Sequence, residues 1–169
     1  MNNNEFVNRV VTLKMRNGVY FKGILLGLGS KWALLKYIPV DFVTDGYVLI
    51  NTNYISTFDM ADDDIFTEKV IKLKQINVDL KYKFDLESPN QVLDILKENA
   101  VLIGIELKNH QKMYVGIIKI VREKSMKVHL ISKACEWLKE ETFLYNELRA
   151  IYFEGDYLYS LNLYIQSLQ

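Results

Sequence analysis

One cysteine, two prolines and two histidines are all that 169 residues contain of those types. A lone Cys135 excludes an internal disulfide and suits a reducing compartment. So few sulfur and imidazole groups leave no Cys-x-x-Cys or His-Glu-x-x-His arrangement, and no glycine-rich phosphate loop is present either. Long apolar runs are missing: nothing approaches the roughly 20 residues that span a bilayer. The start, Met1-Asn2-Asn3-Asn4-Glu5, lacks the basic and apolar regions of a secretion signal. A cytoplasmic protein without a membrane partner is therefore expected. An excess of either charge is absent too, with 21 Lys plus Arg against 21 Asp plus Glu. No whole-molecule field draws the chain to nucleic acid or anionic lipid.

Apolar residues make up 50% of the chain and include eleven Tyr and eight Phe. Aromatic and β-branched side chains fit pleated, half-buried surfaces, so strands are favoured. The length suffices for one ordinary domain or two small ones. Self-similarity favours two, because residues 5–58 can be laid over residues 92–153 with small gaps. Glu5–Arg9 followed by Val11–Gly18 has a counterpart in Leu93–Lys97 followed by Leu102–His110, each reading as helix, strand and turn. Val19–Leu25 matches Lys112–Ile118, which aligns Gly23 with Gly116 in a second strand, where a glycine permits a bend or bulge. Trp32–Leu35 and Met126–Leu130 supply a third strand. Tyr47–Ile50 with Ile55–Phe58, and Thr142–Tyr145 with Ile151–Phe153, supply two more in each copy.

Ser88 can cap the second helix with Pro89 in its first turn, and Asn3 or Asn4 can cap the first. Residues 67–74 fit either a short helix or an alternating strand, with helix preferred. Near the end, Leu158, Leu161 and Ile165 can share one face of a helix that covers the second sheet. The organisation expected is mainly β with short helices: a first module over 1–60, an acidic linker and connecting segment over 61–87, and a second module with a C-terminal helix over 88–169.

Leu13-Lys14-Met15-Arg16-Asn17-Gly18 through Gly23-Ile24-Leu25, and Asp45-Gly46-Tyr47-Val48-Leu49-Ile50-Asn51-Thr52-Asn53-Tyr54-Ile55, resemble the two motifs of the Sm-like family. The resemblance implies two strongly bent five-stranded antiparallel barrels in tandem, each preceded by a short helix. In RNA-binding members it would also imply an Asp-x-x-Met-Asn stretch and an Arg-Gly or Lys-Gly pair that clamp a base. Here Ala33 stands in place of the amide and Asn51-Thr52 in place of the basic pair; the second copy offers Met126-Lys127 and Tyr145-Asn146-Glu147. The framework is kept without its nucleotide pocket, so direct nucleic-acid binding is not expected.

Groups able to carry chemistry are few. His110 falls in a turn and His129 on a strand, with Cys135 six residues further on; unrelated surface and core positions explain them better than a catalytic pair. No enzyme, cofactor or metal is expected; Asp62-Asp63-Asp64 lacks the alternating ligands and glycine of a calcium loop. Gly27-Leu28-Gly29 reads as a turn. Charge is patched, however. Residues 59–68 hold five acids and no base, and six acids against two bases follow from Glu136 onward, whereas residues 91–135 carry eight bases and four acids. The acidic run can be a solvated linker. It can also join the second acidic stretch as a contact surface for a basic partner, formed by Asp59, Asp62, Asp63, Asp64, Phe66, Glu68, Glu136, Trp137, Glu140 and Glu141. A small neutral chain of Tyr-rich tandem barrels also resembles the bacterial immunity proteins of contact-dependent growth inhibition systems. That resemblance implies a non-enzymatic inhibitor covering the active site of a basic toxin domain, a ribonuclease or other nuclease. The alternative is an Sm-like RNA binder using Lys108, Lys112, Lys119, Arg122, Lys124 and Lys127, with Tyr114 stacking on a base.

Overall fold

A computed structural model describes residues 3–109 and 112–168, without the side chains of Asn3 and Asn4. His110 and the cap expected from Asn3 or Asn4 lie outside that description. The chain is mainly β and divides into two compact units, Met1–Glu87 and Ser88–Gln169. In the first, a single 3-10 turn, Asn3–Phe6, leads to β1 (Val10–Met15), β2 (Tyr20–Leu28), β3 (Trp32–Tyr37), β4 (Tyr47–Asn51), β5 (Ile55–Asp59) and α1 (Asp62–Leu73). The second comprises α2 (Pro89–Glu98), β6 (Leu102–Leu107), β7 (Met113–Val121), β8 (Ser125–Ile131), β9 (Trp137–Leu144), β10 (Leu148–Phe153) and α3 (Asp156–Ser167). Ser88 caps α2, its hydroxyl accepting from the Gln91 N–H, and Pro89 occupies the first turn, where a missing donor is harmless.

The two units share one strand order. The first runs β5-β1-β2-β3-β4 and the second β10-β6-β7-β8-β9, with antiparallel ladders throughout. Among the described residues no ladder within a unit joins its two end strands, so each sheet is open and not a closed barrel. Gly23 faces Val11 and Gly116 faces Ile103, which makes the two glycines equivalent by register. Just beyond each, the glycine's own strand gains a residue: β2 passes from Leu25 to Gly27 while β3 moves from Leu35 to Leu34. In β7 the same step runs from Ile118 to Ile120. A second bulge also recurs, leaving Ser56 extra in β5 and Arg149 extra in β10. An added residue bends its strand and increases local twist, so both sheets curve at the same two places.

The repeat reaches further than the strands. Each unit follows its last strand with a helix of 12 residues. α1 places Ile71 on Val10, Ile24 and Ile38. In α3, Leu158 and Leu161 lie on Leu102, Val115 and Ile131, with Ile165 and Cys135 packed alongside. Register makes Val10, Ile24 and Ile38 the counterparts of Leu102, Ile117 and Ile131. Burying each such aliphatic side chain stabilises by about 1.5–3 kcal/mol. Within the segment expected as acidic linker and connecting segment, where helix was preferred for residues 67–74, Asp62–Leu73 form a helix that packs on the first sheet. Residues 74–87 stay with the first unit as well. There the Leu86 carbonyl accepts from the N–H groups of Lys31 and Trp32, and the Tyr47 hydroxyl donates to the Asp79 carbonyl at 3.0 Å. Gly29 admits this segment, since a Cβ there would sit 2.5 Å from the Leu86 carbonyl. Gly27 belongs to β2 instead of the turn in which it was expected.

Candidate partner-binding surfaces

The acidic run divides into inward and outward groups because it is helical. Asp64 and Glu68 are four residues apart, hence on one face, and both are buried. One Asp64 carboxylate oxygen accepts from the Thr12 hydroxyl at 2.9 Å and lies 3.2 Å from the Lys22 ammonium; the other accepts from the Ala61 N–H at 3.0 Å. Glu68 accepts from the Arg9 guanidinium at 2.8 Å, the Val10 N–H at 3.1 Å and the Lys72 ammonium at 2.6 Å. Both carboxylates thus fasten α1 to β1 and β2. Asp59, Asp62, Asp63 and Phe66 remain exposed, although Asp63 pairs with Lys22 and the Phe66 ring meets Phe42 edge-on at 5.7 Å. Three aspartates in the first turn also suit the positive end of the helix dipole.

Burial works against ionisation at both centres and is outweighed at each. It would lower the Lys22 pKa, but the hydrogen bonds that Lys22 donates to Asp63 and Asp64 hold that group above its ordinary value. It would raise the Glu68 pKa, but bonds from Lys72, Arg9 and the Val10 N–H bring it below 4.5. A carboxylate with a depressed folded pKa stabilises fully above the unfolded value, and that contribution is lost as pH falls through the folded one. The urea midpoint of Glu68→Gln should therefore lie below that of the unchanged protein at pH 7. The gap should narrow progressively below about pH 4.5; a gap of constant size down to pH 2 would show that the Glu68 charge does not matter.

The second acidic stretch is a strand. β9 starts at Trp137, well before the strand expected from Thr142, and pairs only with β8, so its outer edge is unpaired within its unit. Trp137, Leu138 and Leu144 are 42%, 46% and 46% exposed. Trp137 stacks on His129 at 4.7 Å, which orients the indole without covering it. Glu136 is exposed, Glu140 bonds the Lys127 ammonium at 2.9 Å, and Glu141 lies 3.0 Å from Lys139. The Lys127 bond lowers the Glu140 pKa, keeping that carboxylate ionised. β9 and the residue before it therefore place Glu136, Trp137, Glu140 and Glu141 along one edge strand, Glu141 only partly exposed, whereas of the candidates in the first acidic run only Asp59, Asp62, Asp63 and Phe66 face outward.

The remaining candidates have settled neighbours. Cys135 packs under α3, its thiol 4.0 Å from the Leu161 carbonyl, while the His129 ring is taken up by Trp137. Tyr114 is half-buried, its ring edge-on to Phe143 at 5.3 Å and its face beneath the Lys112 ammonium at 5.2 Å. The Tyr145 pKa is pushed up to about 12 by burial, the hydroxyl donating to the Arg122 carbonyl. Among the described residues no group of three or more His, Cys, Asp or Glu could hold a metal ion, and no helix is long and apolar enough to cross a membrane. Sequence reading missed Leu138 and Leu144, the exposed apolar residues towards the two ends of β9; the Trp137-Leu138 pair upstream of Thr142 was the available signal for a longer strand. No protein-family model, curated protein or solved structure matches this chain.

Proposed function

We propose that this chain is a non-enzymatic protein-binding module, an immunity protein that neutralises a toxin nuclease by covering its active site. The exposed β9 edge carries the reading. It offers an aromatic anchor and two leucines beside three carboxylates, on a strand whose outer backbone is unpaired within its unit. A nuclease must present lysine and arginine to its phosphodiester substrate, and these can engage Glu136 and take the place of Lys127 and Lys139 at Glu140 and Glu141 around the Trp137 anchor. The finer architecture we propose, two Sm-like strongly bent five-stranded units in tandem with each barrel left open, is supported by the shared strand order and the bulges recurring after Gly23 and Gly116. The RNA-binding alternative has less support, because Tyr114 would have to leave Phe143 and Lys112 to stack on a base.

The test is whether a nuclease domain is encoded beside this gene and is inhibited by the protein. Nanomolar inhibition is expected, with Trp137→Ala weakening it by about 2 kcal/mol or more. Reversal of charge at Glu136 and Glu141 together should weaken it at least about tenfold. Full inhibition by both variants would remove β9 from the contact. No inhibition, with salt-sensitive binding of single-stranded RNA, would favour the alternative.

A further inference from the structure

The first unit carries a groove of about 500 Å³ along β5, within the range of ligand sites. Phe6, Leu28, Ile55 and Phe58 give it apolar walls, with the Phe6 and Phe58 rings stacked 6.5 Å apart. Among the described residues β5 pairs on one side only, with β1. The Arg16 N–H donates to the Tyr54 carbonyl, so alternate residues of β1 direct their backbones at β5. Thr57 and Asp59, opposite Lys14 and Thr12, therefore bond inward, and Phe58, opposite Leu13, turns its N–H and C=O outward. β5 contains neither lysine nor proline, residues that commonly guard an edge against pairing.

Charge narrows the choice of occupant. Among the described residues Glu5 is the one ionisable side chain lining the groove, and β5 ends at exposed Asp59, with exposed Asp62 following at the start of α1. We infer that this edge accepts an extended segment of a partner protein by strand addition. Apolar side chains at alternate positions enter the groove, and a basic residue reaches the Asp59 end. About five residues match the length of β5, since each strand residue advances about 3.3 Å. The inference concerns the first unit and stands whether or not β9 meets a toxin.

The full chain would be titrated with a library of fluorescein-labelled heptapeptides in which Val, Ile or Phe alternates with Lys or Arg, read by anisotropy. At least one member should bind saturably and protect the Phe58 amide from hydrogen exchange. An analogue N-methylated at alternate amides should bind at least about tenfold more weakly, a difference of about 1.4 kcal/mol. Asp59→Lys, an exposed change whose folding is checked by its melting curve, should weaken the basic peptide similarly. Absence of any saturable binder, indifference to N-methylation, or indifference to Asp59→Lys would each overturn the inference. So would concentration-dependent protection of Phe58 in the protein alone, which would make a second copy the occupant.

Discussion

An Arg149→Met variant is expected to lose about 3–5 kcal/mol of stability, the usual effect of removing one partner from a buried ion pair. Arg149 is 4% exposed, and its guanidinium bonds the carboxylate of Glu106, which also accepts from the Tyr152 hydroxyl at 2.8 Å. Without the cation, Glu106 would keep one neutral donor for a largely buried charge. The Arg149 Nε has no hydrogen-bond partner among the described residues, so the arginine is itself only partly compensated. Replacing Glu106, Arg149 and Tyr152 together by Leu, Met and Phe should consequently recover most of the loss, because no unpaired polar group then remains. Urea unfolding of the single and triple variants decides it. A triple variant no more stable than Arg149→Met would show that the cost lies in packing and not in charge.

The second large effect is expected at the paired glycines. An added Cβ at Gly116 would sit 2.3 Å from the His129 carbonyl oxygen, and one at Gly23 would sit 2.5 Å from that of Lys36. These obstacles are backbone atoms of the adjacent strand and cannot rotate away. Gly116→Ala and Gly23→Ala should each cost about 1–3 kcal/mol, as overpacking usually does. Gly104→Ala and Gly27→Ala are the controls: there the nearest atoms are the Met113 sulfur and a Leu86 methyl, 2.7 and 2.8 Å away, on side chains with rotamers to spare. Denaturation midpoints should fall furthest for Gly116 and Gly23. Equal losses at Gly104 would mean that the close strand approach is not the governing feature.

Local chemistry made the strands legible. Apolar and aromatic stretches between turn residues marked most of the strands, Ser88-Pro89 marked the start of α2, and a Gly in the same place of each copy marked the strand that bulges just beyond it. The helix α1 was less legible because its composition resembles a solvated charge run. Two of its four acids, Asp64 and Glu68, are bound by Thr12, Lys22 and Arg9, residues 42 to 59 positions away, and no local pattern announces such partners. The spacing of Asp64, Glu68 and Ile71 on one helical face held the missing clue. At β9 the acids and Trp137 were visible, but their position on an outer strand follows from ladder order alone.

The segment after α1 sets where the chain can be divided. A fragment ending at Leu73 would keep all five strands and the helix of the first unit, yet leave the N–H groups of Lys31 and Trp32 without the Leu86 carbonyl. It would also remove the Glu87 carboxylate from the Ser30 N–H and open the space that Gly29 keeps for Leu86. Excision, fusion and limited proteolysis should therefore respect Glu87–Ser88 and not the end of the last regular element. The natural seam of this polypeptide is set by hydrogen bonds from an irregular segment.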